Sequence, residues 1–541
     1  MDTYPIKLLD CTLRDGGYYN NWDLDYELVE LYLKSMQEAL IDVIEIGFRS
    51  PPKKSFMGPY VYSLDDHLNS LPLPTSILIG VMINAKEYLE AHEGPVKMIN
   101  KLFQASDKSP VGLVRIAINF DQVLEAEILV KELKHLGYQV GLNMMQSHGK
   151  EEQQYKHKAK RIAEWDSVDV LYFADSLGNM KPSNIKKICK ALLSIWHGPL
   201  GIHTHNNKDL ALINSLIALE EGVTWCDATI TGMGRGAGNV ATEALLMEMG
   251  SLGLHLGNAQ TLTNCVEHFN LLKQHHKWGP NLHYHYAANH NIHPTFVQSL
   301  LNDPRYESEE INLILNSLSQ KPSTSFSMSV LRDSIYRTET ESAKGTWDAT
   351  GWLEGRNVLF VGAGPSVQKY RNAIMNYIKN HKPAVLFLNI NEYIPSSLGD
   401  ATVVAHESRA LFDVLSYHKL GHPLIMPFIR LKNELGSQLE GLNILDYGLT
   451  LQNGAFDIES TGCVLQRPLA FAYALSVATQ AKANEILLVG FDGYENNDPR
   501  QEEMIEVLVN YDQLQNNLPV RSLTPTNYPI KQGSIFEPVI D

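Results

Sequence analysis

The sequence predicts an α/β protein with an N-terminal (β/α)8 TIM barrel, a helical extension, and a C-terminal domain built on an open, Rossmann-like sheet. Three observations lead to this prediction. The chain has 541 residues, which exceeds the roughly 100–250 residues of one ordinary domain. Eight apolar, β-rich runs alternate with helical stretches between residues 6 and 231. A second series of such runs begins at residue 358.

The eight runs of the first series have the composition of buried strands. They are IKLLD (6–10), IDVIEIG (41–47), SILIGVMI (76–83), LVRIAI (113–118), QVGLNMM (139–145), VDVLYFAD (168–175), LGIHTHN (200–206) and WCDATIT (225–231). Strands that are apolar on both faces and alternate with helices are parallel, and eight such repeats close a barrel. The alternative is an open doubly wound sheet, which needs a Gly-rich phosphate turn after an early strand, and the sequence has none there.

The stretches between these runs have helical patterns. DYELVELYLKSMQEAL (25–40) and FDQVLEAEILVKELKHLG (120–137) are two examples, and the second ends at a glycine suited to the position just after a helix. Residues 255–345 are helical or irregular and end in a polar stretch. We therefore expect a barrel at residues 1–255, a helical extension and linker at 256–350, and the second domain at 355–541.

The second series of runs predicts the open sheet of the C-terminal domain. Its members are VLFVGAGPS (358–366), AVLFLNI (384–390), ATVVAHE (401–407), LNILDYG (442–448) and EILLVGFDGY (485–494). Helical stretches separate them, which is the pattern of a second α/β unit.

Composition narrows the class of protein. A formal charge of −16 argues against a nucleic-acid partner, because phosphate backbones are bound by basic surfaces. We expect no secretory signal, because residues 1–17 lack a basic and an apolar region, and no apolar run approaches the roughly 20 residues that cross a bilayer. Five scattered cysteines fit a reducing compartment. We expect a cytoplasmic protein without a membrane span that acts on small molecules as a homo-oligomer.

Polar side chains concentrate where the predicted barrel strands end. In barrels of this kind the active site lies at the C-terminal ends of the strands. The residues found there are Thr12, Arg14, Asp15, Glu45, Asp175, Ser176, His203, His205 and Asn239.

Asp15, His203 and His205 have the chemistry of a metal site. The two-residue period of a strand places both histidines on one face, and a carboxylate completes a set with two nitrogens and one oxygen. Such a set leaves coordination positions open for substrate and water. A His-x-His pair alone is more often chance than a ligand pair, but carboxylates on other strands at the same rim reverse that prior. Arg14, Glu45 and Asp175 fit either direct roles or structural ion pairs at the rim.

The order of five motifs resembles one superfamily. DCTLRDGG (10–17), IEIG (44–47), FADSLG (173–178), GIHTHNN (201–207) and GMGRGAGN (232–239) are similar to the signatures of metal-dependent aldolases, lyases and synthases. That superfamily includes 4-hydroxy-2-oxovalerate aldolase, isopropylmalate synthase and hydroxymethylglutaryl-CoA lyase. The resemblance implies metal ligation by Asp15, His203, His205 and Asn239. It also implies that Arg14 stabilises an enolate and that Glu45 and Asp175 support the site.

Within the superfamily, the chain resembles the aldolase branch most closely. MMQSHG (144–149) and WGPNLHYHYAANHNIHP (278–294) carry this likeness, which places Tyr284 on the acceptor side. Tyr18 stands where 4-hydroxy-2-oxovalerate aldolases carry a catalytic histidine. Tyrosine is a much weaker base, with a reference pKa of about 10 against about 6.5 for histidine. Tyr18, Tyr19, His148, His290 and a metal-bound water are therefore the open candidates for the acid/base.

The resulting hypothesis is an aldolase that uses Mn, Mg, Co or Zn to join a pyruvate-type 2-oxo acid to an aldehyde. The metal would act as a Lewis acid on the 2-oxo acid, and Arg14 would add a second positive group where the enolate oxygen forms. The alternatives are a Claisen-type synthase that uses an acyl-CoA, and a non-catalytic scaffold with a degenerate barrel.

The C-terminal domain resembles nucleotide-binding domains of certain bacterial sialyltransferases and of archaeal-type hydroxymethylpterin pyrophosphokinase. The likeness lies in VGAGPS (361–366), STGCVLQRPLAFAYALSVA (460–478) and ILLVGFDGY (486–494). It implies nucleotide contacts at Gly362, Gly364, Ser366 and Asp492. A plain strand-to-helix bend is the alternative for the glycine turn. By analogy of fold, the fusion of an aldolase with such a domain would suit surface polysaccharide or higher-sugar biosynthesis.

Overall fold

Eight parallel strands close a barrel in the order in which they occur along the chain. The computed structural model describes residues 4–53, 56–303, 306–336, 344–452, 454–494 and 498–537. The barrel strands are β1 (Lys7–Asp10), β2 (Val43–Phe48), β3 (Leu78–Asn84), β4 (Leu113–Asn119), β5 (Gln139–Met145), β6 (Val170–Asp175), β7 (Leu200–Thr204) and β8 (Trp225–Ala228). Each lies within or overlaps one predicted run, so the predicted (β/α)8 barrel is confirmed.

Helices follow the strands and continue beyond the barrel. They are α1 (Thr12–Gly16), α2 (Tyr26–Glu38), α3 (Asp65–Leu68), α4 (Ala85–Leu89), α5 (Pro95–Leu102), α6 (Glu127–His135), α7 (Glu152–Ala163), α8 (Pro182–Leu193), α9 (Ala211–Glu220), α10 (Thr242–Ser251), α11 (Thr263–His276), α12 (Leu282–Asn289) and α13 (Pro294–Leu301). No helix among the described residues is both long enough and apolar enough to span a bilayer.

Neighbouring residues of strand β1 belong to two different hydrophobic clusters. Leu8 belongs to the large cluster that the strands share with the surrounding helices, whereas Leu9 belongs to a smaller cluster with Tyr172 and Trp225. This alternation follows from the two-residue period of a strand. Gly201 makes room for the Tyr172 ring, since a Cβ there would lie 2.3 Å from it.

The second part of the chain contains a parallel sheet of eight strands in the order β13-β12-β11-β10-β9-β17-β18-β19. A separate sheet has the order β14-β16-β15. The strands are β9 (Val358–Val361), β10 (Ala384–Leu388), β11 (Ala401–Val403), β12 (Leu424–Met426), β13 (Ile444–Asp446), β14 (Gly448–Leu451), β15 (Phe456–Glu459), β16 (Gly462–Leu465), β17 (Ile486–Val489), β18 (Val520–Ser522) and β19 (Lys531–Gln532). The second sheet predicted for this part of the chain is therefore confirmed, and its strands are parallel.

The helices of this part begin before its first strand. They are α14 (Ser308–Ser319), α15 (Met328–Tyr336), α16 (Pro365–Lys369), α17 (Arg371–His381), α18 (Glu407–Phe412), α19 (Val414–Tyr417), α20 (Phe428–Leu435), α21 (Ala470–Gln480) and α22 (Pro499–Asp512). Helix α21 is apolar and buried along most of its length, and it packs in the main core of the sheet.

The chain forms two compact units. The barrel unit contains Met1–Asn302 and Ser319–Phe326, and the sheet unit contains Asp303–Leu318 and Ser327–Asp541. Residues 304–305 and 337–343 of the predicted extension and linker lie outside the described residues. All five cysteines are buried and free.

Candidate functional site

Asp15, His203 and His205 lie together at the C-terminal end of the barrel strands. Their potential ligand atoms are all within 4.8 Å of one another, and all three residues are buried. Asp15 lies in α1, directly after β1, while His203 lies in β7 and His205 is the first residue after β7. The centroids of the two imidazole rings are 4.9 Å apart. Closure of the barrel thus brings Asp15 after β1 next to His203 in β7, although strands β2 to β6 separate them in the sequence.

Asn239 joins this cluster from the loop between β8 and α10. Its Nδ2 donates a hydrogen bond of 2.5 Å to Asp15 Oδ2, and its backbone pairs with that of His205. Gly234 permits this approach because a Cβ there would lie 2.3 Å from Asn239 Nδ2 and 2.6 Å from Asp15 Oδ2. The motif GMGRGAGN therefore brings Asn239 to the carboxylate.

The surrounding charges set the protonation states of the cluster. Burial alone would raise the pKa of Asp15, but the Arg14 guanidinium and the neighbouring histidines outweigh it and hold that pKa well below its usual range. Burial and the proximity of His203 push the pKa of His205 well below its ordinary value. Asp15 is thus ionised and His205 neutral, which are the forms in which these side chains bind a metal.

A chain of buried opposite charges connects Asp15 to His203. Arg14 Nη1 donates to Asp15 Oδ1 at 2.5 Å, and Arg14 Nε donates to Glu45 Oε1 at 2.6 Å. The Arg115 guanidinium joins Glu45 and Asp227, with N–O distances of 3.2 Å and 2.6 Å. Asp227 Oδ2 then pairs with His203 Nδ1 at 2.9 Å.

Arg115 and Asp227 were missed by the sequence analysis. Both lie inside barrel strands, in β4 and β8, and not at the C-terminal ends of strands, where a barrel's active site is expected. A signal exists, since each is a charged residue within an otherwise apolar run. Charged side chains are rarely fully buried unless they are paired.

The residues present fit a divalent metal. His205 Nδ1 and Asn239 Oδ1 are buried without a hydrogen-bond partner, although buried polar atoms are nearly always paired. Two imidazoles and a carboxylate form a mixed nitrogen and oxygen donor set of the kind that divalent metals accept. Cys11, His203 and Asp227 also lie within ligand distance of one another. In that group, however, Asp227 Oδ2 already accepts from Arg115, and burial raises the pKa of the Cys11 thiol well above its ordinary value.

The cluster borders a cavity of about 520 Å³. Its walls combine charged, amide, aromatic and thioether side chains. The lining residues are Arg14, Asp15, Tyr18, Phe48, Met82, Asn84, Ala117, Asn143, Met145, Ala174, Ser176, His203, His205 and Arg235. Arg235 was not singled out by the sequence analysis, although it lies within the motif GMGRGAGN.

Other predicted site residues lie behind the cavity wall. Glu45 is fully buried beneath Arg14. Asp175 accepts the backbone N–H groups of Asn179 and Met180, and burial raises its pKa to about 7. Asp175 therefore orders the loop after β6, and its predicted catalytic role stays a prediction.

Tyr284 lies in α12, with its side chain buried against the loop after β8. Its ring is 3.2 Å from the position that a Cβ on Gly236 would occupy, and burial raises the pKa of its hydroxyl. It is not among the residues that line the cavity, so the structure does not bring it to the metal cluster. Its predicted place on the acceptor side stays a prediction.

The candidates for the acid/base differ in their access to the cavity. Tyr18 lines it. The Tyr19 hydroxyl donates to the Gly236 carbonyl at 2.6 Å, and His290 is exposed and stacked on Tyr286. His148 is half-buried and does not belong to the lining.

The predicted nucleotide contacts of the sheet unit form a local cluster at the ends of β9 and β17. Ser366 donates its backbone N–H and its hydroxyl to Asp492, with the hydroxyl contact at 2.8 Å. The backbone N–H groups of Gly362 and Gly364 donate to Val489 and Gly490 carbonyls. These donors are thus engaged within the protein. A separate open cavity of about 1310 Å³ lies at the same edge of the sheet, lined in part by Ala363.

Comparisons with known proteins concern the barrel unit. The HMGL-like family model matches residues 5–269. A 4-hydroxy-2-oxovalerate aldolase from Brevibacillus brevis is 27% identical over 259 residues, which cover 47% of this chain and 73% of the relative. One of the same name from Pelotomaculum thermopropionicum is 29% identical over 264 residues, covering 47% and 72%.

A solved structure extends this likeness. It is the N-terminal domain of a protein from Bacteroides vulgatus that is provisionally named an aldolase. It is 34% identical, with a TM-score of 0.50, and the match covers 55% of this chain and 96% of that one. The chain therefore belongs to the HMGL-like family, within its aldolase branch, and it is an enzyme of the carbon–carbon lyase class.

Proposed function

We propose that the barrel unit is a divalent-metal-dependent aldolase that joins the enolate of a pyruvate-type 2-oxo acid to an aldehyde, or cleaves the product. One observation carries this proposal. Arg14 Nη2 is buried without a hydrogen-bond partner, while Asp15 and Glu45 hold the other nitrogens of the same guanidinium. Because Arg14 lines the cavity beside the metal cluster, this fixed donor is available to an oxyanion bound there.

Asp15, His203, His205 and the Asn239 carbonyl oxygen would hold the metal. A divalent ion there would supply Lewis-acid polarisation of the keto group of a 2-oxo acid. Arg14 Nη2 would donate to the same oxygen as the enolate forms. Its rigid placement between two carboxylates means that little reorganisation is needed when charge develops.

Tyr18 is our candidate for the group that donates a proton to the acceptor oxygen. It is the one side chain of the candidate set at the cavity wall, packed edge-on to Trp22 at 4.8 Å between ring centroids. A neutral tyrosine hydroxyl donates a proton readily to an alkoxide, because its reference pKa of about 10 lies far below that of an alcohol.

Proton exchange in the donor tests this proposal without an acceptor. With Mn²⁺ and pyruvate in deuterated water, the enzyme should exchange the pyruvate methyl protons, as followed by NMR. Arg14→Lys should slow exchange on the order of 10²-fold or more, since an ammonium cannot reproduce the fixed donors of the guanidinium. Arg49→Lys is the matched control, because Arg49 is a buried arginine that binds Ser63 and Asp65 and does not line the cavity.

The alternatives give different results. An acyl-CoA-dependent synthase uses the 2-oxo acid as the electrophile and has no need to exchange it. A non-catalytic scaffold exchanges nothing, with or without metal. Absence of exchange from folded, metal-loaded protein, across Mn²⁺, Mg²⁺, Co²⁺ and Zn²⁺, would therefore remove the aldolase proposal.

For the sheet unit, we propose nucleotide binding in the open cavity at the C-terminal edge of the sheet. Support comes from topology, because successive strands extend in opposite directions from β9 and β17, and ligands of open α/β sheets bind at such a switch. Arg409 and Arg500 lie in the wall of this cavity beside Glu307, Glu310 and Glu503, and Arg409 Nε is paired with Asp413 at 2.8 Å. Calorimetric titration of the full chain with nucleoside mono-, di- and triphosphates tests this. Arg409→Gln should weaken binding, and failure of every nucleotide to bind would contradict the proposal.

A further inference from the structure

Arg235 lies at the cavity wall without an acidic partner. It belongs to the loop between β8 and α10 and lines the same cavity as Asp15 and the two histidines. Its Nε is buried without a hydrogen-bond partner, and it forms no ion pair with any carboxylate of the residues that the structure describes. A guanidinium in this situation has lost part of its hydration without gaining a counter-charge, which is unfavourable unless a ligand supplies one.

The loop that carries Arg235 is held in place. The Gly232 carbonyl accepts the Asn239 N–H at 3.0 Å, and the Arg235 carbonyl accepts the Gly238 N–H at 3.2 Å. The Tyr19 hydroxyl binds the Gly236 carbonyl at 2.6 Å. These hydrogen bonds hold the backbone on both sides of Arg235 at the edge of the cavity.

The residues around the cavity differ in their exposed fraction, which distinguishes a buried floor from a more exposed mouth. The metal cluster and Arg14 form the floor, and each of them is at most 5% exposed. Tyr18 is 39% exposed, and the Arg235 guanidinium lies 5.9 Å from the centroid of its ring. Arg235 is itself partly exposed. A donor bound to the metal would occupy the floor, and an acceptor beside it would extend toward the more exposed residues Tyr18 and Arg235.

The charges of the wall favour an anion. Among the described residues that line the cavity, Asp15 is the one carboxylate, and Arg14 is paired with it. Arg235 therefore adds a positive charge that no lining side chain neutralises. Carboxylate and phosphate groups match the planar fork of a guanidinium with two parallel hydrogen bonds.

We infer that Arg235 binds an anionic group, a carboxylate or a phosphate, at the end of the acceptor aldehyde remote from its reacting carbon. This inference rests on the proposed aldolase function and specifies its substrate class. The acceptor would place its carbonyl at the floor, beside the donor, and its anion at the mouth. Arg235 is thus a specificity-determining residue and takes no part in forming the enolate.

Two pairs of acceptors test the inference and distinguish the two anions. Succinate semialdehyde is compared with butanal, and glyceraldehyde 3-phosphate with glyceraldehyde, in the presence of pyruvate and Mn²⁺. For at least one pair, wild-type enzyme should prefer the anionic member in kcat/KM. Arg235→Gln should reduce that preference about 10- to 100-fold, the factor that one charged hydrogen bond typically contributes.

Donor exchange and a charge-matched variant are the controls. Arg235→Gln should leave pyruvate methyl exchange and the KM for pyruvate within about 3-fold of wild type, a margin well below the contribution of one charged hydrogen bond. Lys86→Gln removes a positive charge from an exposed side chain of α4, outside the cavity lining, and should leave the preference unchanged. Equal loss of exchange and of aldol turnover in Arg235→Gln would overturn the inference, because Arg235 would then serve the donor.

Equilibrium binding separates this inference from the proposed function. Metal-loaded protein is titrated with glycerol 3-phosphate and with succinate, which carry the anions without a reactive aldehyde, and with glycerol. Wild type should bind one anion at least 10-fold more tightly than Arg235→Gln does, as the loss of a charged hydrogen bond requires. Wild type that exchanges pyruvate but binds both anions no better than the variant overturns the inference alone. Wild type that fails to exchange removes the proposed function, and the titration still decides whether Arg235 holds an anion.

Discussion

His203 presents only one ring nitrogen to the candidate metal site, because Asp227 engages the other. The Asp227 carboxylate also accepts from Arg115 at 2.6 Å, which fixes its own orientation. Carboxylates in this relation to a metal-binding histidine set the tautomer and orient the ring. The burial of Asp227 would raise its pKa, but Arg115 and His203 lower it, so the carboxylate stays ionised.

Asp227→Asn should therefore weaken metal binding by about 10- to 100-fold, the usual effect of losing such a partner. Competition with a chelator measures the affinity, and circular dichroism of the metal-free variant checks its fold. Asp10→Asn is the matched control, since Asp10 is a buried carboxylate of β1 that accepts from Tyr32 and Thr242. Unchanged metal affinity in folded Asp227→Asn would show that His203 needs no such orientation.

At the level of residues, the sequence located the groups at strand ends and missed those within strands. Asp15, His203 and His205 could be predicted as site residues because the active site of such a barrel lies at the C-terminal ends of its strands. Arg115 could not, since pairing across the barrel interior depends on strand register and tilt. The significance of Arg235 also depended on the structure, because the absence of a counter-charge is a property of three-dimensional surroundings.

At the level of elements, the barrel strands were predictable because each is an apolar run bounded by polar residues. Strands β12, β18 and β19 have only three, three and two residues, too few to show a pattern. Strand β15 alternates between half-buried and exposed positions and is also short. Such strands are specified by pairing with a sheet that the rest of the chain has already formed.

For the loops after the strands, the sequence indicates close backbone contacts but not the groups that are contacted. The glycines of GMGRGAGN permit close backbone approach, and Gly234 provides it beside Asp15. For Gly362 and Gly364, the resemblance to nucleotide-binding domains implied contacts with a nucleotide. There, carbonyls at the end of β17 accept the N–H groups of both glycines. Glycines in the sequence therefore indicate where the backbone can approach another group closely, and the fold determines whether that group belongs to the protein or to a ligand.

At the level of the whole molecule, segments of the two units alternate along the sequence. Residues 303–318 belong to the sheet unit although they precede Ser319–Phe326, which belongs to the barrel unit. Within the barrel unit, the Ser323 carbonyl accepts the His293 N–H at 2.7 Å. The Phe326 and Phe296 rings lie 4.9 Å apart.

This membership predicts how substitutions affect thermal unfolding of the full chain. Phe326→Ala should lower the stability of the barrel unit by about 1–2 kcal/mol, as expected for a half-buried phenylalanine. In calorimetry, the affected transition should be the one that divalent metal raises. Phe456→Ala, in the sheet unit, should lower the other transition, because Phe456 packs on Tyr511 there. A shift of the metal-insensitive transition by Phe326→Ala would contradict the assignment.

This alternation of segments also affects the order in which the two units can fold during synthesis. Helix α14 has a buried apolar face formed by Ile311, Ile314, Leu315 and Leu318. The ribosome makes this helix about 200 residues before strand β18, an interval of about 10–40 s at usual elongation rates. Throughout that interval the barrel can close, since its last segment ends at Phe326. Until the sheet unit that buries this face has been made, helix α14 leaves these four apolar side chains without their packing partners, and a chaperone that binds exposed apolar segments could bind it during that interval.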